Sequence, residues 1–166
     1  MPDTFIKIAS VTVGSGGSTS VSFSSIPSTY TDLCLKWSAR SDANNTDMSV
    51  TFNGSSSNFT QRRLVGTGSS VASYSETYVT YLMNRSTATA STFSNAELYI
   101  PNYAGSNNKS FSIDQVNEDN ATSNVLAILS APLWSQTAAI TSIVFAPNAG
   151  NLVQYSTFTL YGIKNS

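Results

Sequence analysis

The chain has no histidine in its 166 residues, and that absence removes more chemistry than any motif supplies. Ser-His-Asp and Cys-His triads, histidine-ligated zinc and imidazole acid–base catalysis all lack their essential group. Cysteine is almost as scarce. The one Cys34 excludes an internal disulfide, and its place in "LCLKW" reads as a small hydrophobe in a strand, with no base to activate the thiol. Charge is short as well: Lys, Arg, Asp and Glu make up 10% of the chain, against roughly 25% in ordinary soluble domains. The eight Lys and Arg are scattered, with Arg62 and Arg63 the one adjacent pair, so no basic surface for a nucleic-acid backbone is expected. No apolar run reaches the roughly 18 residues of a membrane span. The opening "MPDTFIKIAS" lacks a basic region followed by a hydrophobic stretch, so synthesis in a cytoplasm is expected, with neither nucleic acid nor membrane as partner.

What is present is apolar surface in short alternating pieces. Hydrophobic residues are 40% and aromatic ones 11%, enough to offset the entropy of ordering one domain over 1–166. The alternation has the two-residue period of a strand: Ala96, Leu98 and Ile100 against Asn95, Glu97 and Tyr99, and again Leu33, Leu35 and Trp37. Further strands are expected near residues 4–13, 19–26, 47–53, 58–65, 77–83, 109–117, 124–130, 139–146 and 152–163. "VGSGGST", "FNGSSSN", "GTGSS", "YAGSNNK" and "PNAGN" supply the reversals between strands, because Gly tolerates positive φ and Asn and Ser bond their own backbone. The pattern predicts an all-β protein: a single-domain antiparallel β-sandwich, jelly-roll-like, of about ten or eleven short strands. Residues 84–92, "NRSTATAST", are expected as a mobile excursion.

Several stretches bear on chemistry. "DQVNED" offers Asp114, Glu118 and Asp119 as an acid and nucleophile for glycoside cleavage, but on a strand Asp114 and Glu118 share a face without a cleft. "DANNTD" alternates oxygen ligands at Asp42, Asn44, Thr46 and Asp47 like the opening of a calcium loop, yet lacks the Gly and the distal Glu; "NEDN", residues 117–120, is as weak. No cofactor or metal is expected. Six Asn-x-Ser/Thr triplets, at Asn44, Asn53, Asn58, Asn84, Asn108 and Asn120, follow from composition and imply no glycans. Tyr74, Tyr78 and Tyr81 of "SYSETYVTY", with Trp37 and Trp134, are the candidate rings for stacking on a glycan or anchoring a partner, with core packing as the plainer alternative. Arg62 and Arg63 alternate across a strand, so one faces solvent and the other can meet an inward acid or a subunit neighbour. "TAAITSIVF" and "NVLAILSAPLW" are apolar on both faces and are candidates for a contact surface, with Arg62, Ile140, Ile143 and Phe145 as its expected interface residues.

"TYTDLCLKWSAR", "VTFNGSSSNFTQRRL", "NAELYIPNYAGSNNKSFSID", "LWSQTAAITSI" and "GNLVQYSTFTLYGIK" together resemble the small virion proteins of marine tailed bacteriophages, over nearly the whole chain. From "FIKIASVTVGSGG" to "STFTLYGIK" the likeness leads one to expect a complete gene product, and the family brings no catalytic motif. The resemblance implies a non-enzymatic virion structural protein. Without coiled coil, collagen-like repeat or fibre shaft, a capsid decoration or cement protein is the expectation, bound to the major capsid protein or other virion proteins and forming a homo-oligomer such as a trimer. The alternative is a receptor- or glycan-binding module of a tail fibre or tip, with a host surface glycan as partner. Either places the chain in the virion after synthesis in the host cytoplasm.

Overall fold

The computed structural model describes residues 4–44, 47–120 and 125–164. Thirteen strands follow one another: β1 (Phe5–Thr12), β2 (Val21–Phe23), β3 (Asp32–Ala39), β4 (Met48–Phe52), β5 (Phe59–Gly66), β6 (Val71–Glu76), β7 (Thr80–Tyr81), β8 (Ser94–Ile100), β9 (Lys109–Ser110), β10 (Ser112–Asn117), β11 (Leu126–Trp134), β12 (Ile143–Pro147) and β13 (Thr157–Ile163). They form two antiparallel sheets of unequal width. The large sheet runs β1-β13-β3-β8-β10-β11-β5-β6, with β9 paired to β11, and the small sheet runs β2-β12-β4-β7. The expected all-β sandwich is what the chain builds.

The alternation in the sequence sets the register. In β8, Ser94, Ala96, Leu98 and Ile100 are buried while Asn95 and Glu97 are exposed. Leu35 stands between Leu98 and Leu160 of its neighbours, and Trp37 between Ala96 and Phe158. A one-residue slip would turn all of these to water, so burial fixes the pairing. Two aromatic clusters join the sheets. Trp37 meets Tyr81, Phe145 and Phe158 at ring-centre distances of 5.2, 5.4 and 6.4 Å. Phe52 meets Phe59, Phe111 and Trp134 at 5.4, 5.4 and 5.5 Å. Gly162 is required where it lies: a Cβ there would come within 2.3 Å of the Tyr30 ring, which packs over the bare backbone.

Turn chemistry does more than reverse the chain. The Lys109 ammonium, buried at the end of "YAGSNNK", donates to the carbonyls of Gly105 at 2.8 Å and of Asn107. Burial pushes its pKa down, and the carbonyl dipoles around it offset part of that cost. Residues 84–92, expected as a loose excursion, are tied instead. Arg40 donates to the backbone carbonyls of Ala88, Thr89 and Thr92 at 2.8, 2.7 and 3.0 Å, and Asn84 to the Thr92 hydroxyl at 2.8 Å.

Several strand expectations change, and of 77–83 and 19–26 only the short β7 and β2 remain. β6 was not expected, because "VASYSE" carries no apolar face and is largely exposed. The stretch 109–117 divides into β9 and β10, and 152–163 narrows to β13 because Leu152 makes only isolated bridges, to Ser18 and Ser41.

Candidate functional site

The structure divides the expected contact residues sharply. Trp37, Tyr81 and Trp134 are buried in the core, so they stack on protein rings and cannot meet a glycan. The polar atoms of all three lack a hydrogen-bond partner, and burial raises the Tyr81 hydroxyl pKa well above its ordinary value. Ile140, Ile143 and Phe145 are wholly buried as well, which corrects their reading as interface residues. β12 turns Ile143 and Phe145 into the sandwich, and what it leaves partly open is Val144, Ala146 and Pro147. Tyr74 and Tyr78 remain exposed, the former beneath the Arg63 guanidinium at 5.1 Å.

The arginine pair behaves as strand geometry requires. Arg62 is exposed, while Arg63 pairs with Glu76 at 2.7 Å. Gln61 donates to the second carboxylate oxygen of Glu76 at 2.8 Å. That inward network sits in an unusual place. On β5, β10 and β11 the buried positions include Gln61, Gln115, Asn117 and Ser130, and the Gln115 amide donates to the Leu82 carbonyl. Val65 and Ile128 are buried too, but stand outside the main core cluster.

The outer face of the same strands is apolar. Leu64 is 48% exposed, Val71 72%, Val116 45% and Leu129 58%. They are neighbours by register: Leu129 pairs with Leu64, Val116 with Ala127, Ala127 with Gly66, and Gly66 with Val71. An open groove of about 230 Å³ lies among Leu64, Val71, Asp114 and Leu129. Several polar groups are therefore turned inward here while Leu64, Val71, Val116 and Leu129 stand outward beside Arg62 and Asp114, unlike a sheet whose free face meets only water. The sequence pointed to part of this, since "NVLAILSAPLW" is apolar on both faces; its Asn124 lies outside the described residues. Apolar residues on both faces leave the phase open, so Leu129 does not stand out from the segment by pattern alone.

Other candidate chemistry disperses. Asp114 lies opposite Glu97 on the open outer face, where Glu97 is held by Lys36 at 2.8 Å. Glu118 instead accepts from the Asn120 backbone N–H at 2.7 Å, and Asp119 is buried, so no acid and nucleophile face a common substrate space. Asp42 accepts from the Asn151 backbone and side chain at 2.7 and 3.1 Å, which holds its carboxyl below the usual range. Thr46 of that calcium-like stretch lies outside the described residues. Among the described residues no three acidic or thiol groups gather as a metal site. Asn84 is buried and Asn53 is wired to the Ala139 carbonyl and the Thr141 and Ser142 amides, so neither offers a free acceptor for a glycan. Cys34 is fully buried, and burial, with Glu97 adding to it, pushes its pKa up to about 11.

Comparison with protein-family models, with curated proteins and with solved structures returns no match.

Proposed function

We propose that this chain is a non-enzymatic structural subunit of a bacteriophage virion, attached as a decoration or cement protein to the major capsid protein of the head. The observation that carries the reading is the apolar outer face around Leu64 and Leu129, backed by an inward polar network. Contiguous apolar surface of this kind, on a chain with only 10% charged residues, is suited to lying against other protein. The low net charge lets many copies crowd on a shell without mutual repulsion, and repetition turns weak single contacts into firm attachment. The likeness of the sequence to small phage virion proteins supplies the kind of assembly.

Mass spectrometry of purified virions tests it. A copy number comparable with the major shell protein is expected, and a particle without the chain removes the reading. The tail-tip alternative retains Tyr74 and Tyr78 as exposed rings. It expects binding on a host-glycan array that Tyr78→Ala abolishes in a folded protein, and a uniformly silent array counts against it.

A further inference from the structure

We propose that the apolar outer face is a two-fold contact between copies of this chain, in which Arg62 of each copy meets Asp114 of the other across a pad made by Leu64 and Leu129. The inference specifies the homotypic partner of the face described above, and rests on the assembly reading only for the view that the face is covered.

Around the pad two charged groups are left over. On the outer face Lys36 pairs with Glu97, while Arg63 and Glu76 pair with each other on the inner face. Among the described residues no cation pairs with Asp114, and the one hydrogen bond of the Arg62 side chain goes to its neighbouring Gln61 carbonyl at 3.1 Å. Asp114 is in fact short of a cation. It stands directly opposite Glu97 in the β8–β10 ladder, a like-charge pair across strands that is unfavourable by itself, and the nearby Lys36 is already engaged by Glu97. Arg62, two strands away, carries the missing charge but is turned to the Gln61 carbonyl rather than to Asp114.

The register gives the reason and the symmetry. Asp114 faces Leu129 and Leu129 faces Leu64, while Arg62 faces Ala131, two residues along β5. With strands ~4.8 Å apart and ~3.4 Å per residue, Arg62 and Asp114 stand roughly 12 Å apart on the face. A two-fold axis lying in the contact plane, through the midpoint of that line and perpendicular to it, exchanges the two positions. One axis therefore closes two ion pairs at once and brings Leu129 and Ala131, which flank the midpoint, onto the partner's apolar pad. Isologous contacts need this self-complementarity. The footprint is small: four strands by about five residues cover roughly 300 Å² per copy, well below the ~800 Å² of a standard stable complex. The contact is accordingly weak in dilute solution, and accumulates where copies are already held close.

Sedimentation velocity over about 1–200 μM tests the contact in the range that so small an interface implies. A concentration-dependent shift from monomer to dimer is expected, weaker in high salt. Arg62→Glu and Asp114→Arg should each raise the dissociation constant about tenfold, and the chain carrying both changes should recover association. Leu129→Glu should stay monomeric throughout, with circular dichroism reporting the fold of every variant. A wild-type chain monomeric at the highest concentration, a trimer, or a doubly exchanged chain that fails to recover overturns the proposal. Virion counts answer separately: a chain present in particles but monomeric in solution removes this contact and leaves the virion role standing, whereas a salt-sensitive dimer missing from particles does the reverse.

Discussion

Phe145→Ala separates a core residue from a contact residue, because the two roles predict different losses. The side chain is fully buried, with ring centres of Trp37, Phe158 and Tyr81 at 5.4, 5.6 and 5.9 Å. Three rings on both sheets therefore border the space that alanine would leave, and stiff cross-sheet rings cannot collapse into it without moving strands. The expected cost is about 3–5 kcal/mol, a large share of the ~5–15 kcal/mol that holds a domain. At roughly 2–4 °C per kcal/mol for a chain of this length, the melting temperature should fall by about 6–20 °C. Urea unfolding followed by tryptophan emission suits the measurement, since Trp37 and Trp134 are both buried and shift to the red when exposed. The midpoint should move with the slope unchanged. Leu129→Ala, on the exposed outer face, should stay within about 0.5 kcal/mol of wild type. A Phe145→Ala loss below about 1 kcal/mol, accompanied by weakened assembly, would refute the packing argument and return Phe145 to an interface.

Two titrations follow from the same coordinates. With its pKa pushed up to about 11 in a fully buried site, Cys34 should give no reaction with a thiol reagent in the native state at mildly alkaline pH, and one thiol per chain in urea; rapid native labelling would contradict the burial. Tyr99 donates to Asp32 at 2.6 Å, and that bond to a carboxylate pushes its pKa up to about 12. The unfolded chain loses this proton first, from the ordinary 10.0, so stability should fall as pH rises from about 10 to about 12. Asp32→Asn should bring the Tyr99 absorbance titration back down; an unmoved titration would sever the link.

Strand existence was legible wherever one face had to be apolar. β8 and the Leu33, Leu35 and Trp37 stretch of β3 announce themselves because both lie in the middle of the large sheet, where burial of one face and the period of two coincide. β6 escaped because an edge strand need satisfy neither condition: "VASYSE" pairs only with β5 and keeps most of its side chains in water. The contact surface was half legible. Doubly apolar segments marked β11 and β12, but only the partner strands decide which phase points inward, and in β12 that phase carries Ile143 and Phe145. Rings mislead for a similar reason. Trp37, Tyr81 and Trp134 join two sheets whose meeting is a long-range fact, while Tyr74 lies on β6 beyond their reach.

The Arg40 staple has one more implication. Its guanidinium grips carbonyl oxygens of residues 88, 89 and 92, and a carbonyl is the same whatever letter the position bears. The lettering of residues 88–90 can therefore drift while the loop keeps its shape, giving the surface of the domain a stretch free to change its appearance without loosening what lies beneath.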